Sequence, residues 1–242
     1  MEPRLELDIV VPVYNERENF EALYRHLCEL VRSPWRMTVV YDFPEDTTLT
    51  VAKPLAEGDK RIRLLKNEER GVLSAIKTGF RSAEAPQTLL LMVDDPPEIV
   101  EKIDTMLERM RETGSVVVAA SRYMRGGSHR GGNLLKGFLS RMAGLSLHFL
   151  LGLPIHDATY ATKLFRTSFL RATPIESTRG FTCALELTLK AHIKGERITE
   201  VPVVWTERTE GMSRFAFFGW ICAYLYWYMW GIFRYLLSGA RK

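Results

Sequence analysis

The first 121 residues alternate strand-like runs with helix-like segments, and this alternation constrains the fold more than any other feature of the chain. Nearly continuous apolar or β-branched runs, typical of buried parallel strands, occur at residues 7–13, 37–41, 62–65, 88–93 and 115–120. Between them, helices are predicted at residues 19–30, 48–56, 71–83 and 99–113. Because parallel strands need crossover connections, the pattern predicts an α/β fold: a mostly parallel sheet with helices on both faces.

The alternation stops after residue 121. Residues 123–133 form a loop rich in glycine and arginine, residues 134–151 are predicted to be a helix, and residues 198–205 a late strand. The chain has 242 residues and is 46% hydrophobic, which is enough for a packed core. We expect one α/β domain over residues 1–214 and a helical tail over residues 215–242.

Acidic side chains follow three of the predicted strands. The carboxyl ends of parallel strands share one edge of a sheet, where doubly wound folds bind nucleotides. Taken alone, two aspartates before two prolines more often form a turn that leads into a capped helix. Acidic residues at three strand ends instead favour a nucleotide site with Mg²⁺ or Mn²⁺, because carboxylates are hard oxygen ligands. The acidic residues concerned are Glu16, Asp42, Asp94 and Asp95.

Several other classes of function are disfavoured. The chain contains no G-x-x-x-x-G-K-[ST] loop and no G-x-G-x-x-G after a strand, which argues against a P-loop kinase and a dinucleotide oxidoreductase. Its net charge of +4 comes without a long cluster of lysine and arginine, which argues against nucleic acid as a partner. A mild positive charge does suit contact with phosphates or an anionic membrane surface.

The three cysteines are odd in number and far apart in the sequence. We expect reduced, buried thiols, as is typical of a cytosolic protein, rather than disulfides or a zinc site. No N-terminal signal peptide is predicted, because the first apolar run is short.

An ordered set of motifs runs from residue 5 to about residue 215. It comprises residues 10–16 (VVPVYNE), 42–48, 71–80, 121–123 and 157–166, then Gly180, Phe181 and Glu186, and finally residues 200–205 and 211–214. Together these motifs resemble the family 2 glycosyltransferases of the GT-A fold, a Rossmann-like nucleotide-diphospho-sugar transferase fold. The resemblance is strongest to the dolichyl-phosphate mannose synthase-like branch.

The resemblance implies inverting, metal-assisted transfer of a sugar from a GDP- or UDP-linked donor to a lipid-linked acceptor such as polyprenyl phosphate. It implies Mg²⁺ or Mn²⁺ at Asp94 and Asp95, and Lys77 near the base or phosphates of the donor. The residues that would hold the nucleoside are Pro12, Tyr14, Glu16 and Asp42.

Other residues would serve phosphates and the acceptor. Arg122 would face a phosphate, for which a bidentate guanidinium is well suited. A second phosphate-binding group beside Gly211 would consist of Arg208, Ser213 and Arg214. Asp157, which alone would be a helix N-cap, would lie near the acceptor or the sugar, so the catalytic set is Asp94, Arg122 and Asp157.

The need for a general base depends on the acceptor. A phosphate acceptor is already ionised, so catalysis would rest on positioning and on the metal. A hydroxyl acceptor would need Asp157 or Glu186 as base. Glu186 lies in an apolar helix, so we expect it to face the cleft or to pair with a basic side chain. His156 is expected to be structural.

Two departures from the family pattern stand out. Residues 92–97 (MVDDPP) are shortened by a few residues, so that a metal-side carboxylate is expected to be missing. The family's small or glycine residue after its later aspartate is replaced within residues 157–163 (DATYATK), which alters the shape of the acceptor pocket. An alternative is therefore a non-catalytic, nucleotide-binding relative. An enzyme that makes activated sugars is a weaker alternative, because its Gly- and Arg-rich N-terminal signature is absent.

Residues 215–233 carry no charge, and about half of them are aromatic. Tryptophan and tyrosine favour membrane interfaces, so an in-plane, membrane-associating helix is expected in preference to a span. Residues 134–151 form either a second such helix or an ordinary core helix. We expect a cytoplasmic protein that is peripheral to, or anchored in, the inner face of the cell membrane.

Overall fold

A computed structural model describes residues 4–131, 134–206 and 217–237. Its elements, in chain order, are β1 (Leu7–Pro12), α1 (Arg17–Leu30), β2 (Trp35–Tyr41), α2 (Leu49–Gly58), β3 (Ile62–Lys66), α3 (Val72–Ser82), β4 (Gln87–Leu90), α4 (Pro97–Val100), α5 (Ile103–Thr113), β5 (Val117–Ser121), β6 (Ser128–Arg130), α6 (Leu134–Leu151), β7 (Lys163–Arg166), α7 (Thr167–Ala172), α8 (Thr182–Ile193), β8 (Ile198–Pro202), β9 (Val204–Thr206) and α9 (Phe217–Leu237).

The main sheet has seven strands in the order β3-β2-β1-β4-β7-β5-β8. Its pairs are parallel except those of β7, which runs antiparallel to both β4 and β5. Val10 of β1 is in register with Thr38 of β2 and Leu90 of β4, so these strands end at one edge. A mostly parallel α/β sheet is therefore confirmed, and β6 and β9 form a separate parallel pair.

Successive strand residues face two different cores. Ile9 and Val11 pack in one apolar cluster with residues of α1 and α5. Val10 lies between them in sequence and packs in the other cluster, with residues of α3, α6 and α8. Because side chains alternate along a strand, the sheet buries both faces under helices, as the sequence predicts.

Some elements differ from those predicted. β4 ends at Leu90, three residues before the predicted end, and the predicted helix at 99–113 is divided into α4 and α5. The late strand is divided at residue 203, since β8 pairs with β5 whereas β9 pairs with β6. The sequence placed Glu186 in a helix, which is α8, but gave no bounds for it. It did not reveal α7 or β7, and β7 is only four residues long with a basic residue at each end.

The cysteine prediction holds only in part. Cys183 is buried and free, whereas Cys28 and Cys222 are free but exposed, so the expectation of buried thiols was wrong for those two. Cys28 lies on α1 and Cys222 on α9, on sides of these helices that the core does not cover.

Helix α9 packs against α6 and α8 through one side. The Trp227 side chain is buried in the same core as Leu185 and Leu189 of α8. The Tyr228 hydroxyl donates a hydrogen bond to the Ser146 hydroxyl on α6 (2.8 Å). Within the described ranges, no helix combines the length and apolarity needed to cross a bilayer.

Candidate active site

The end of β2 carries a hydrogen-bonded carboxylate. Asp42 accepts one bond from the side-chain amide of Asn67 (2.8 Å) and one from the backbone N–H of Gly71 (2.9 Å). The Asn67 amide oxygen in turn accepts bonds from Ser74 and Thr78 on α3, each at 3.0 Å. Gly71 has φ +110°, a conformation in which a side chain is strained. Asp42 is therefore held in place just ahead of α3.

The loops after β1 and β2 are tied together. The N–H of Asn15 donates to Asp46 Oδ1 (3.0 Å), and the N–H of Glu16 donates to Thr48 Oγ1 (2.9 Å). Asn15 adopts φ +55°, which asparagine tolerates better than most residues. These bonds join the two strand ends that the resemblance predicts to hold the nucleoside.

Aromatic rings border this edge of the sheet. Tyr14 is 51% exposed, and its ring meets that of Phe43 edge to face, with centroids 5.5 Å apart. Pro12, the last residue of β1, is partly buried in register with Val40. Lys77 on α3 donates from Nζ to the backbone carbonyl of Ser177 (3.0 Å), so its ammonium group is already bonded to a neighbouring loop.

The acidic pair after β4 is divided into one exposed and one buried carboxylate. Asp94 is exposed, whereas Asp95 is only 4% exposed. Asp95 accepts hydrogen bonds from the Tyr160 hydroxyl (2.5 Å), the Thr162 hydroxyl (2.5 Å) and the N–H of Met92 (3.0 Å). Burial, with a smaller contribution from the Asp94 charge, raises the pKa of Asp95 to about 6. Asp95 thus fastens the turn rather than capping α4.

A metal ion can be accommodated here through one protein carboxylate. No group of three or more His, Cys, Asp or Glu side chains in the described part of the chain is arranged to hold a metal by itself. Mg²⁺, however, is commonly bound through one or two carboxylates together with substrate phosphates. The exposed Asp94 fits that mode, and the bonds made by Asp95 leave it in a supporting position.

Arg122 and Asp157 form a buried ion pair. Asp157 is fully buried, and it accepts bonds from Arg122 Nε (2.7 Å), Nη2 (3.1 Å) and the backbone N–H (3.1 Å). Burial by itself would raise the pKa of Asp157, but the Arg122 guanidinium outweighs burial and the pKa is lowered below its ordinary value. Asp157 therefore stays ionised; no helix follows it, so it is not an N-cap.

Tyr160 and Lys163 complete this cluster. The Arg122 Cζ atom lies 4.5 Å from the centre of the Tyr160 ring, within cation–π range. Burial and the nearby Asp95 raise the pKa of Tyr160 well above its ordinary value, so the phenol is a hydrogen-bond donor. Lys163 is fully buried, and its Nζ donates to the carbonyls of Ala158 (3.0 Å) and Tyr160. Burial lowers the pKa of Lys163 to about 8.

Both base candidates are already bound by other groups in the structure. Asp157 is bound to Arg122. Glu186 on α8 is fully buried and accepts bonds from Lys190 Nζ (2.6 Å) and from the N–H groups of Glu176 (2.6 Å) and Ser177 (2.8 Å). Of the two expectations for Glu186, pairing with a basic side chain is the one observed.

His156 pairs with an acidic side chain outside the cluster. Its Nδ1 lies 2.5 Å from Glu200 Oε1, and its ring stacks on that of His148 with centroids 4.4 Å apart. These contacts agree with the structural role expected for it.

Helix α6 lies directly against the Arg122 pair. The hydroxyl of Ser140 accepts a bond from Arg122 Nη2 (3.1 Å) and lies 2.7 Å from the hydroxyl of Thr159. Gly144 lets the helix approach closely, because a Cβ atom there would lie 2.2 Å from the carbonyl oxygen of His156. One side of α6 therefore forms a wall of the site.

The other side of α6, and one side of α9, expose large apolar side chains at helical spacing. We call these side chains the apolar surface: Leu135, Phe138, Leu139, Met142, Phe149 and Leu150 on α6, and Ile221, Leu225, Tyr226, Met229, Phe233, Leu236 and Leu237 on α9. A stripe of this kind normally packs against another apolar phase.

The predicted site residues are thus distributed over one edge of the sheet and the adjoining cluster. Arg208, Ser213 and Arg214 lie outside the described residues. Sequence reasoning missed four residues that hold the others in place: Asp46, Asn67, Tyr160 and Thr162. Asn67 could have been found, because it directly follows β3, whereas Tyr160 meets Asp95 across 65 residues and had no local signal.

The fold and this strand-edge site define a GT-A-type α/β protein. The structure resembles that of glucosyl-3-phosphoglycerate synthase from Mycobacterium tuberculosis in complex with Mn²⁺, UDP and phosphoglyceric acid. The TM-score is 0.67 at 16% sequence identity, covering 92% of this chain and 78% of that one. A second structure of that enzyme, with UDP, gives a TM-score of 0.70 at 14% identity, over 94% and 80% of the two chains.

Residues 8–173 match the model of glycosyl transferase family 2, and the chain belongs to that family. Among its relatives is the polyprenol monophosphomannose synthase of Mycolicibacterium smegmatis, 29% identical over 215 residues that cover 85% of this chain and 79% of that protein. Another is the undecaprenyl-phosphate mannosyltransferase of Micrococcus luteus, 27% identical over 210 residues, or 85% of each protein. The predicted family, fold and glycosyltransferase class are confirmed.

Proposed function

We propose that this glycosyltransferase transfers a hexosyl group, with inversion, from a GDP- or UDP-linked sugar to a polyprenyl phosphate at a membrane surface. The observation that carries the acceptor assignment is the double role of α6. Ser140 on its inner side binds Arg122, while its outer side belongs to the apolar surface. A helix is about 10 Å across, so a lipid phosphate at the membrane interface would lie near Arg122. The relatives named polyprenol monophosphomannose synthase and undecaprenyl-phosphate mannosyltransferase support this assignment.

The donor is proposed to bind at the ends of β1 and β2. Tyr14 and Phe43 offer rings, and Glu16 and Asp42 offer carboxylate acceptors, for the base and ribose. Pro12, at the end of β1, is proposed to line the same site. Lys77 is proposed to lie near the donor and to tie its site to residue 177. Arg208, Ser213 and Arg214 remain proposed ligands of the donor phosphates.

A divalent metal, Mg²⁺ or Mn²⁺, is proposed to be held by Asp94, with Asp95 fixing the turn. When bound, the metal would offset the negative charge of the leaving diphosphate. The structural neighbour that contains Mn²⁺ with UDP supports a divalent ion.

The chain's own residues then serve the acceptor. Arg122 uses Nε and Nη2 for Asp157 and Ser140, and none of the described residues accepts a hydrogen bond from Nη1, which is proposed to bind an acceptor phosphate oxygen. That phosphate is ionised at neutral pH. A phosphate oxygen forms the bond to the anomeric carbon as the bond from that carbon to the diphosphate breaks, so no base is needed. The engagement of Asp157 and Glu186 agrees with this route.

The test supplies the purified protein with labelled GDP- and UDP-sugars, Mn²⁺ or Mg²⁺, and vesicles that contain polyprenyl phosphate. We expect label in an extracted glycolipid, lost in Asp94→Asn and retained in the matched variant Glu108→Gln, which changes an exposed carboxylate on α5. Absence of product over the whole donor panel, from a protein that binds the vesicles, would contradict the proposal.

The proposed contact with the membrane is tested by a separate experiment. Phe138 is 61% and Phe149 78% exposed, so replacing both by glutamate should leave the fold intact. We expect the double variant to lose flotation with anionic vesicles and to keep nucleotide binding. Retained flotation would place the membrane contact elsewhere.

A second candidate is a nucleotide-binding relative that transfers no sugar. It is favoured by the shortened turn, in which Asp95 is bonded internally and Asp94 alone is exposed. It predicts nucleotide binding that Mn²⁺ does not strengthen, and any metal-dependent turnover excludes it.

A further inference from the structure

Tyr160 touches two parts of the site at once. Its hydroxyl donates to Asp95 Oδ1 (2.5 Å) in the acidic turn. Its backbone N–H donates to Asp157 Oδ1 (3.3 Å), and its ring lies under the Arg122 guanidinium. One residue therefore joins the proposed donor-metal turn to the proposed acceptor pair.

Tyr160 also connects the two segments in which the sequence predicts departures from the family pattern. The resemblance predicts that the turn of residues 92–97 is shortened. It also predicts that the family's small or glycine residue is replaced within residues 157–163, the segment that contains Tyr160. Here the hydroxyls of Tyr160 and Thr162 both bind the Asp95 carboxylate, which also closes the turn by accepting the N–H of Met92. A residue at position 160 without the hydroxyl and the ring would make neither the bond to Asp95 nor the contact with Arg122.

The position of Asp94 depends on this anchor. Asp94 is the neighbour of Asp95 in a turn closed by the bond from the Asp95 N–H to the Met92 carbonyl (3.1 Å). The direction of the exposed Asp94 carboxylate is set by the backbone of the turn, and the buried Asp95 fixes that backbone. Losing one bond to Asp95 therefore changes how Asp94 is presented without removing any ligand.

We propose that Tyr160 is a positioning residue that holds Asp95, so that Asp94 is presented to a metal-bound nucleoside diphosphate in register with the Arg122–Asp157 pair. This inference rests on the proposed function, and it assigns Tyr160 a role through Asp95 and not as a ligand of donor or acceptor.

The experiment measures binding of GDP and UDP to the full chain by calorimetry over a range of Mn²⁺ concentrations. Tyr160→Phe removes the hydroxyl and keeps the ring over Arg122. We expect the Mn²⁺ concentration for half-maximal enhancement of binding to rise about tenfold, in line with a lost hydrogen bond to a charged group. Nucleotide binding without metal should be unchanged. A merely structural role would lower the melting temperature and leave the Mn²⁺ dependence as it is.

Tyr24→Phe is the matched control. It removes another hydrogen bond from tyrosine to aspartate, that to Asp59 (2.9 Å), at the end of α2. We expect its Mn²⁺ dependence to equal that of the unmodified protein. Thr162→Val is a second variant, because it also removes a hydroxyl bond to Asp95. We expect it to raise the Mn²⁺ requirement as Tyr160→Phe does, and it replaces Tyr160→Phe if the latter does not fold.

The outcomes separate this inference from the function on which it rests. Metal-enhanced binding that is the same in the unmodified protein, Tyr160→Phe and Thr162→Val overturns the role of Tyr160 and leaves the proposed function standing. An unmodified protein that binds neither nucleotide more tightly with Mn²⁺ overturns both.

Discussion

Two aspartate–arginine pairs of nearly the same geometry lie at opposite ends of the sheet. At the amino end of β1, Asp8 accepts bonds from Arg36 Nε (2.8 Å) and Nη2 (3.1 Å). At the carboxyl end of β5, Asp157 accepts bonds from Arg122 at 2.7 and 3.1 Å. Both aspartates are fully buried. The pairs differ in what surrounds them.

The Asp8 pair is completed by backbone and by a surface residue. Asp8 also accepts the N–H groups of Glu84 and Ala85, and Arg36 extends to the exposed Glu84 carboxylate. Its bonds therefore connect β1, β2 and the loop before β4. We interpret this pair as structural.

The Asp157 pair is surrounded by aromatic, hydroxyl and amine side chains. Arg122 touches the Tyr160 ring and Ser140 of α6, while Lys163 is buried close to Asp157. The same pair of residue types thus serves stability at one end of the sheet and, in our proposal, acceptor phosphate binding at the other. Equivalent substitutions in the two pairs separate these roles.

The largest effect is expected from Asp157→Asn compared with Asp8→Asn. Each removes the buried carboxylate of its pair, which costs about 3–5 kcal/mol, although Arg36 keeps its bond to the exposed Glu84 carboxylate. Chemical denaturation should therefore show similar losses of unfolding free energy. Under conditions where both variants are folded, Asp157→Asn should lower glycolipid formation on the order of a hundredfold, and Asp8→Asn should leave it unchanged. Equal activity losses would show that the pairs do not differ in role.

A smaller effect concerns Lys163, which lies beside Asp157. Its pKa is about 8 in the folded protein, against 10.5 as the ordinary value, so the folded chain binds fewer protons between these pH values. The free energy of unfolding therefore rises with pH across this window. The stability gained when Lys163 is neutral is lost as pH falls through 8, because the buried amine then becomes charged. Urea titrations should show that, from pH 8 to pH 10, the unfolding free energy of the unmodified protein rises by about 2 kcal/mol relative to that of Lys163→Met. A constant difference would contradict this.

The contrast between the two pairs also shows what the sequence could predict. The ends of β1 and β2 were predictable, because apolar runs stop at Asn15 and Asp42 and parallel strands end at one edge. The split of the acidic pair was not, since Asp95 is buried by Tyr160 and Thr162 from a distant segment. Pairing of this kind leaves no periodic pattern.

Helix α6 is another element for which the sequence predicted only part of the structure. Its boundaries at residues 134 and 151 were predicted, and its alternatives, core helix or membrane-surface helix, were both left open. The structure shows why: Ser140, Gly144 and Leu147 face the protein, while Phe138 and Phe149 face outward. A helix that is apolar on most of its circumference carries no strong amphipathic signal from which to choose.

The smallest effect is expected from arginine-to-lysine exchanges, which keep the charge of each pair but remove its two-point geometry. A lysine has no planar fork, so it can bind Asp157 or a phosphate, but not both in the Arg122 arrangement. We expect Arg122→Lys to raise the KM for the acceptor about tenfold, in line with one lost charge-assisted hydrogen bond, with little change in nucleotide binding. Arg36→Lys should lower the unfolding free energy by about 1 kcal/mol and leave the KM unchanged. Steady-state kinetics with varied polyprenyl phosphate would decide. An equal KM in both variants would mean that Arg122, like Arg36, serves the fold alone and that the acceptor phosphate binds elsewhere.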